Sequence, residues 1–350
     1  MNLSEVIESL VEEKGLEKDV LSDIVCQGML TAYQAGYPGV AIRVSFEKKS
    51  GDLLVEAEKT VAQNIEDENM QITLRKAKAI NEKLALGSTV WVPFEGKIGR
   101  IEILRAKQVI AQSIRSVEAS AVYNEFKDRQ GQVLQGVVHK AERAGTLIKV
   151  QETLGFLPRS LSIPGEKLAI GYPIRVLLKE VLDQSRNENQ LIFDRASEDF
   201  VQALFELEIP EVFERLVEVK SIVRTPGYKS KVVVISNDSN IDPVGACVGV
   251  GGVRIKPILK ELGSEKIDVI SWTEDLENLV KNSLKPAEVN RIEMSDDNSA
   301  ARIWLDEDQR SLAIGKMGQN IALASRLTGV HIEIVQDSME NLEQKLSDEF

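Results

Sequence analysis

Two glycine pairs with the same internal spacing constrain this chain more than any other feature. They lie in residues 248–255 (VGVGGVRI) and 314–321 (IGKMGQNI), and both read apolar-Gly-x-x-Gly-x-x-Ile. Each pair stands where a helix-compatible stretch breaks and restarts. Glycine lets backbone come close to a ligand, and the free N–H groups at the start of a new helix favour anions. The pattern therefore predicts two anion sites lined by backbone.

Similar stretches flank the two pairs. Around the first pair, the pattern predicts a strand over 232–235, a turn over 236–240, a helix to Leu262, a stop at Gly263 and a strand over 267–272. Around the second, it predicts a strand over 301–305, a turn over 306–309, a helix over 319–327, a stop at Gly329 and a strand over 330–335. This repetition predicts a tandem of small α+β modules.

A Gly-x-x-Gly loop in this setting resembles the loop of KH modules, which grips the backbone of about four single-stranded nucleotides. We name residues 249–252 the first clamp and 315–318 the second clamp. The candidate RNA-binding residues are Gly249, Val250, Gly251, Gly252, Arg254 and Lys256 at the first clamp, and Gly315, Lys316, Met317, Gly318, Gln319 and Asn320 at the second. A connection of only about a dozen residues between the modules favours one continuous RNA surface.

Composition limits the other functions open to this chain. Its 350 residues, 43% hydrophobic and 28% charged, contain no apolar run long enough to cross a membrane. The first residues lack the basic start and apolar run of a signal peptide, so we expect a cytoplasmic protein. The only cysteines are Cys26 and Cys247 and the only histidines His139 and His331, which supports neither a metal site nor a disulfide framework. No cofactor and no catalytic residues are expected.

Net charge and local charge point in opposite directions. The formal charge of −12 and the pI near 5.0 disfavour a polyanion ligand if they are taken for the whole chain. Within residues 219–260, however, seven basic residues (Lys220, Arg224, Lys229, Lys231, Arg254, Lys256 and Lys260) stand against Asp238 and Asp242. This local excess predicts salt-sensitive RNA binding. From Asp337 to Phe350, five carboxylates stand against Lys345, and this acidic tail, 338–350 in the predicted division, is most simply a solvated terminus.

The first 127 residues have the pattern of a separate α+β module. Apolar residues fall at helical spacing over 3–11 and 20–29, then alternate over 40–46, and further strands are predicted over 53–57 and 90–94. A long helix is predicted over 101–126. This part contains no catalytic constellation. It is either a contact module for another macromolecule or a purely structural head.

A five-stranded barrel is predicted next. Short strands separated by glycines are expected over 133–138, 146–150, 155–158, 174–181 and 191–193. The pattern resembles the OB-fold domain named after the largest protein of the small ribosomal subunit, which implies single-strand binding by stacking aromatics and basic residues. Leu147 stands where that domain usually shows an exposed aromatic, and Pro158 where many members have a histidine.

Three barrel residues are candidates for RNA contact. Phe156 and Tyr172 could stack on bases, although core packing is an equally good interpretation for Phe156. Arg195 is a candidate phosphate contact, but arginine at this and similar positions is most simply solvated. The barrel is therefore predicted to be a weak RNA surface.

The order of an α+β head, a barrel and two KH modules resembles the bacterial NusA family of transcription termination/antitermination factors. Phrases similar to that family occur from near the N-terminus to about residue 336, at 106–110 (AKQVI), 210–212 (PEV), 241–249 (IDPVGACVG), 267–272 (IDVISW), 286–289 (PAEV) and 318–325 (GQNIALAS). One departure concerns the first clamp, because the family usually places a basic residue at Gly251. The resemblance then implies weaker phosphate contact at this clamp.

The resemblance implies an α+β multidomain architecture with a defined division. We expect an RNA polymerase-binding head over 1–127, an OB-fold barrel over 128–198, KH domains over 199–282 and 283–337, and the acidic tail over 338–350. It also implies an elongation factor that binds RNA polymerase near the RNA exit channel and nascent single-stranded RNA. With other Nus factors, such a protein modulates pausing, termination and antitermination.

Two other functions use similar parts. Polynucleotide phosphorylase combines KH and barrel domains, but in the opposite order and behind catalytic domains for which this chain has no room. Carboxylates such as Asp194 and Glu198 are better explained as surface charge than as metal ligands. A ribosome-assembly or translation factor remains the alternative, and the partner of the head distinguishes it from a transcription factor.

Overall fold

The computed structural model describes residues 17–47, 52–186 and 189–335. The chain divides into two compact units, Met1–Ala121 and Val122–Phe350. The helix predicted over 3–11, most of the hairpin turn at 49–52 and the acidic tail lie outside the described residues. Among the helices that the structure describes, none has the length and apolar character needed to span a membrane.

The first unit combines helices with a small mixed sheet. Its elements are α1 (Lys18–Gly36), β1 (Ile42–Glu47), β2 (Asp52–Ala62), β3 (Gln71–Thr73), α2 (Leu74–Ile80), β4 (Thr89–Pro93) and the beginning of α3 (Arg100–Phe126). Strand β2 pairs with all three other strands, antiparallel with β1 and β4 and parallel with β3. Helices α1 and α3 approach closely at Gly28, where an added Cβ would lie 2.3 Å from Ile110 Cγ1. The strands that the sequence predicts at 40–46, 53–57 and 90–94 are confirmed within one to five residues.

A closed barrel opens the second unit. Its strands are β5 (Val133–Ala141), β6 (Gly145–Val150), β7 (Thr153–Pro158), β8 (Pro173–Arg186) and β9 (Asn189–Asp194), in the order β5-β6-β7-β9-β8. The C-terminal end of α3 contributes Phe126 to the apolar interior, where it packs with Phe193 and Leu157. The predicted five-stranded barrel is therefore confirmed.

Two modules with the same sheet topology follow the barrel. The first contains α4 (Glu198–Glu208), α5 (Pro210–Phe213), β10 (Val217–Thr225), β11 (Lys229–Ser236), α6 (Pro243–Val248), α7 (Lys256–Leu262) and β12 (Lys266–Ser271). The second contains α8 (Leu276–Ser283), β13 (Arg291–Met294), β14 (Ala300–Trp304), α9 (Glu307–Ile314), α10 (Gln319–Thr328) and β15 (His331–Ile334). In each sheet the central strand pairs antiparallel with the first strand and parallel with the last.

One local prediction in the second module is wrong. Residues 306–309 do not form the predicted turn, because α9 begins at Glu307. Asp306 occupies the N-cap position, and Glu307 and Asp308 place negative charge in the first turn, where it complements the helix dipole. Turn-forming residues at this point mark the start of a helix.

The barrel and the first module share one apolar core. Ile163 and Leu177 of the barrel belong to the same cluster of buried side chains as Phe200, Phe205 and Ile258 of the module. Burial of this apolar surface stabilises the contact without directional constraint, at roughly 25 cal/mol per Å². Polar contacts therefore have to set the orientation of the two parts.

Arg224, on β10, supplies much of that orientation. Its Nε and Nη2 donate to the two carboxylate oxygens of Glu265, each at 2.9 Å, and both side chains are buried. Its Nη1 donates to the backbone oxygens of Arg195 and Ser197, at the end of the barrel. The Arg224 backbone oxygen accepts from Arg326 of the second module at 3.3 Å. One residue thus contacts all three parts of the second unit.

Removing the Arg224 side chain should destabilise the second unit strongly. Arg224→Met leaves the Glu265 carboxylate buried without its cation, so we expect the free energy of unfolding to fall by about 3–5 kcal/mol. Calorimetry of the full chain should show this as a lower transition temperature for one of its transitions.

Two controls separate pairing from packing in that experiment. The double variant Arg224→Met with Glu265→Leu removes both charges and should recover most of the loss. Arg326→Ala removes an arginine whose side chain is 55% exposed, and it should change stability little. A single variant as stable as the wild type would contradict the role given to this pair.

Candidate nucleic-acid interface

The first clamp is a tight loop between α6 and α7. Gly249 ends α6 with φ +73°, and Gly251 and Gly252 also have positive φ, at +62° and +76°. The N–H groups of Arg254 and Ile255 both point back to the Val248 oxygen, at 3.3 and 3.4 Å. These left-handed conformations favour glycine and fold the loop back on itself. The Val250 side chain, 96% exposed, stands at its tip.

The second clamp has the same backbone path between α9 and α10. Gly315 and Gly318 have φ +71° and +74°, and an added Cβ at Gly315 would lie 2.7 Å from Asn320 Cβ. Met317 adopts φ +53° and ψ +29° although it is not glycine, and its side chain is 89% exposed. Met317 therefore occupies the position of Gly251, and Lys316 occupies that of Val250. In this chain the cation of the second clamp corresponds to Val250, one residue before Gly251.

A groove of about 1020 Å³ lies between the two modules. It is lined by Val244 of α6 and residues 268–271 of β12 in the first module, and by Lys281, Asn282 and residues 285–290 in the second. Strand β12 is at the edge of its sheet, so backbone N–H and C=O groups on its free side can bond to bases. The sequence did not indicate this groove. The alternation over 267–272 indicated a strand, but no local signal shows that a strand is at an edge.

Most of the basic residues near the first clamp form ion pairs with carboxylates of the protein itself. Lys231 is fully buried and donates to Asp268 Oδ2 at 2.8 Å, and Lys229 lies 2.7 Å from the same oxygen. Burial lowers the pKa of the Lys231 ammonium, an effect that Asp268 opposes. Arg224 is likewise neutralised by Glu265. Fewer cations are therefore available for phosphate than the sequence suggested.

Lys256 and Lys316 are the predicted contact residues that remain as exposed cations, and the structure records no ion pair for either side chain among the described residues. Arg254 is different. Its Nη1 donates to Glu211 Oε1 at 2.6 Å and to the Ala246 oxygen at 2.8 Å. These bonds tie the loop to the preceding helices, so Arg254 supports the shape of the first clamp.

Gln319 and Asn320 hold the second clamp against the first module. The Asn320 side chain, 3% exposed, donates from Nδ2 to the backbone oxygens of Leu284, Leu312 and Ala313. Its Oδ1 accepts from Lys229 at 3.2 Å, and Gln319 Oε1 accepts from Thr225 Oγ1 at 2.9 Å. The prediction that the Asn320 side chain contacts RNA is therefore wrong, because its polar atoms are already bonded inside the protein.

Arg195 is also buried, with 1% of its surface exposed. Its guanidinium bonds both oxygens of Glu166, Oε1 of Glu261 and the backbone oxygens of Arg175 and Glu261. The prediction of a phosphate contact at Arg195 is wrong. Residue type alone could not show that two carboxylates far away in the sequence meet this side chain.

Phe156 lies half-buried on the outer face of the barrel. In the β6–β7 pairing it stands opposite Leu147, while its neighbours Gly155 and Leu157 are buried. Phe156 and Pro158 line a groove of about 370 Å³. The Phe156 ring lies outside the barrel, so it does not pack in the barrel core. Base stacking by Phe156 stays a prediction.

Over the ranges that the structure describes, no group of three or more His, Cys, Asp and Glu side chains is placed to hold a metal ion. Cys247 is buried, and burial raises the pKa of its thiol to about 12. The sequence suggested that Asp194 is a surface charge, and this prediction is wrong. It is buried, accepts from the N–H groups of Ala196 and Ser197, and is bonded to Lys179.

Three family descriptions match the chain in the order expected from the fold. The NusA N-terminal domain matches residues 2–120, the NusA-like first KH domain residues 195–272, and the NusA-like second KH domain residues 276–342. The solution structure of the N-terminal domain of NusA from Bacillus subtilis is 27% identical and covers 33% of this chain and 95% of its own, with a TM-score of 0.25.

Curated relatives match nearly the whole chain. The transcription termination/antitermination protein NusA of Thermus thermophilus is 35% identical, with 98% of this chain and 92% of the relative covered. The protein of the same name in Bacillus subtilis is 31% identical, covering 96% and 91%, and that of Rickettsia prowazekii is 31% identical, covering 97% and 69%. Because the structure contains two tandem KH modules and these relatives match nearly the whole chain, the chain belongs to the NusA family of transcription termination/antitermination proteins.

Proposed function

We propose that this protein is an elongation factor that binds RNA polymerase through its first unit and nascent single-stranded RNA through its second. Bound to both, it modulates pausing, termination and antitermination together with other Nus factors. RNA binding is supported above all by the two clamps, which have the same backbone conformation. Each clamp exposes a side chain at its tip. Loops of this kind grip the backbone of about four nucleotides.

The contacts between the KH modules support a single RNA surface. Gln319 and Asn320 follow the second clamp directly, and they bond Thr225 and Lys229 of the first module. Arg326 adds bonds to the Arg224 oxygen and to Glu198. Any rotation of one module against the other would break these contacts, so the two clamps keep a fixed separation. A rigid pair of sites binds one strand with a smaller loss of entropy than two free sites do.

We also propose the remaining assignments that family membership supports. The division is a head over 1–127, a barrel over 128–198, KH domains over 199–282 and 283–337 and a tail over 338–350. Matches of family models to residues 2–120, 195–272 and 276–342 support the head and the two KH domains, and the closed barrel of β5 to β9 supports the barrel. The protein acts in the cytoplasm, where bacterial transcription takes place, and it acts by binding, without catalysis. Its RNA contacts come from the clamps, from Lys256 and from Phe156.

Negative charge in the clamps should abolish RNA binding without unfolding the protein. Lys316→Asp with Met317→Asp places two carboxylates where phosphate should lie, and the left-handed conformation at Met317 tolerates aspartate. We expect affinity for an unstructured RNA to fall more than about tenfold. Fluorescence anisotropy measures the affinity, and calorimetry checks the fold.

The matched variant Val250→Asp with Gly251→Asp tests the first clamp in the same way. It should cost less affinity, because this clamp has no cation to lose. Unchanged affinity in both folded variants would exclude the clamps as the RNA site.

A cation at the tip of the first clamp should strengthen RNA binding. Val250→Lys reproduces the arrangement of Lys316, and it introduces no strain because Val250 has no positive φ. We expect a several-fold gain in affinity and a steeper dependence on salt by about 0.7 in the logarithmic slope. Val250→Gln is the uncharged control and should bind like the wild type.

Gly251→Arg tests the position at which the family usually carries a basic residue. The Met317 conformation indicates that this loop position accepts a side chain, at a cost of roughly 1–2 kcal/mol for left-handed backbone. Its gain in affinity should therefore be smaller than that of Val250→Lys. A larger gain for Gly251→Arg would reverse our assignment of equivalent positions.

The macromolecule that the head binds distinguishes a transcription factor from a ribosome-assembly or translation factor. Residues 1–127, carrying an affinity tag, should capture RNA polymerase from a purified mixture of polymerase and ribosomal subunits. Clamp variants of the full chain should capture the same amount of polymerase, because their changes lie in the other unit. Recovery of ribosomal subunits alone would favour a ribosome-assembly or translation factor.

A further inference from the structure

We propose that Arg254 and Asn320 are equivalent positioning residues, each of which holds one clamp in its binding conformation. A partner from outside the clamp orients each of them: Glu211 orients Arg254, and Lys229, which belongs to the other module, orients Asn320. The proposal rests on the function proposed above, because it concerns the conformation in which the clamps meet RNA. The four side chains act on RNA binding through the shape of the loops.

Arg254 and Asn320 occupy the same position relative to their clamps. Each lies two residues after the last glycine of its clamp, and each packs against the first glycine. An added Cβ at Gly249 would lie 2.9 Å from Arg254 Cγ, and one at Gly315 would lie 2.7 Å from Asn320 Cβ. In both clamps the first glycine therefore leaves the space that this side chain needs to cross the loop.

Both side chains cross the loop to the same backbone group. Arg254 Nη1 donates to the Ala246 oxygen at 2.8 Å, and Asn320 Nδ2 donates to the Leu312 oxygen at 3.1 Å. Ala246 and Leu312 each lie three residues before the first glycine, in the last turn of the helix that leads into the clamp. A carbonyl in the last turn of a helix has no partner within that helix. Two chemically different side chains thus satisfy the same group and tie the two ends of the loop together.

Glu211 on α5 fixes the guanidinium of Arg254. Its Oε1 accepts from Arg254 Nη1 at 2.6 Å, and the Glu211 and Arg254 side chains are 21% and 36% exposed. The other carboxylate oxygen, Oε2, is buried and has no hydrogen-bond partner among the described residues. Arg254 therefore balances this charge, and the ion pair holds the guanidinium beside the Ala246 oxygen.

Lys229 of the first KH module orients the amide of Asn320. Its ammonium donates to Asn320 Oδ1 at 3.2 Å and lies 2.7 Å from Asp268 Oδ2. With its oxygen bonded in this way, the amide directs Nδ2 at three backbone oxygens, of which those of Leu312 and Ala313 belong to α9. Lys229 is the donor recorded for Asn320 Oδ1 among the described residues, so its loss leaves a buried acceptor unsatisfied. The second clamp therefore depends on the other module, whereas the first clamp depends on its own.

Left-handed backbone makes such support necessary. Met317, which is not glycine, has φ +53°, and this strain persists only where surrounding contacts offset it. The apparent affinity of a site falls in proportion to the fraction of molecules that have the binding conformation. Positioning residues thus raise affinity by keeping the loop in that conformation before RNA arrives.

The sign of the effect of Glu211→Ala tests the first clamp. If charge alone acted, removal of a carboxylate near the clamp would strengthen the binding of a polyanion. Loss of the positioning contact should instead weaken binding of an unstructured RNA by about fivefold, the effect of one hydrogen bond, as measured by fluorescence anisotropy of the full chain. Glu211→Gln keeps an acceptor for Arg254 and should restore most of the affinity. Glu214→Ala removes an exposed carboxylate from the same segment and should cause no loss.

The effect of Lys229→Met should depend on the second clamp. In the otherwise wild-type chain it should lower RNA affinity by about fivefold. It should cause no further loss when the second clamp already carries Lys316→Asp with Met317→Asp, because that clamp no longer binds. The fivefold loss should remain when the first clamp carries Val250→Asp with Gly251→Asp. A change of overall charge or of global stability would act equally in every background.

Matched variants separate the contact from the charge. Lys220→Met removes a lysine that is 42% exposed on β10, and it should lower affinity less than Lys229→Met does. Lys229→Arg keeps a donor for Asn320 and should bind RNA like the wild type. Asn320→Ala removes the same contacts from the other side and should reproduce the effect of Lys229→Met, which also serves if that variant does not fold.

Hydrogen exchange followed by mass spectrometry reports on each clamp without RNA. Glu211→Ala should speed the exchange of backbone N–H groups in residues 249–255 and leave residues 315–321 unchanged. Lys229→Met should do the reverse, and Glu211→Gln and Lys229→Arg should exchange like the wild type. Faster exchange over the whole second unit would indicate general loosening and would overturn the assignment.

The remaining outcomes are also decisive. A gain of affinity in Glu211→Ala would overturn the proposal for the first clamp, since it would show that Arg254 contacts phosphate once Glu211 releases it. Equal losses from Lys229→Met in all backgrounds, or unchanged exchange in residues 315–321, would overturn it for the second clamp. A wild-type chain that binds no RNA would overturn the proposed function, and the exchange measurements would still decide whether these side chains hold the loops.

Discussion

The buried ion pair between Arg224 and Glu265 is the interaction on which the second unit depends. The carboxylate of Glu265 also accepts from the Gly227 N–H and from Ser230, so all partners of the charge are inside the protein. A buried charge that loses its partner is costly, and arrangements of the three modules that break this pair are therefore disfavoured. The shared apolar core holds barrel and module together, and the ion pair selects one orientation.

Ion pairing inside the protein also bears on how an acidic chain can present a site for a polyanion. Cations that the sequence places near the first clamp are largely engaged by Asp268, Glu211 and Glu265. In the proposed function, attraction for phosphate comes from backbone N–H groups in the clamps and from a few exposed lysines. Both are local, and at physiological salt the charge of surfaces beyond about 8 Å is largely screened. Net charge is consequently a poor guide to the ligand of this protein.

Most of the architecture could be predicted from the sequence, because strand alternation and helical periodicity are local patterns. The barrel strands and the tandem of modules were predicted in this way, although β10 and β13 were not. The assignment of site residues was less accurate. Arg195 and Asn320 were predicted to meet RNA and instead are almost completely buried. Their types suit both roles, and only the partners that surround them decide which role is filled.

The sequence by itself determined the two clamps, because positive φ at Gly249, Gly315 and Gly318 is a property of each residue and its chain neighbours. It also determined the family, since resemblance is carried by the order of residues. Only the tertiary structure decided which polar groups are free to bind a ligand. Glu166 and Glu261 are far apart in the chain, yet both form ion pairs with Arg195. Pairing and burial depend on residues distant in sequence, which no local pattern records.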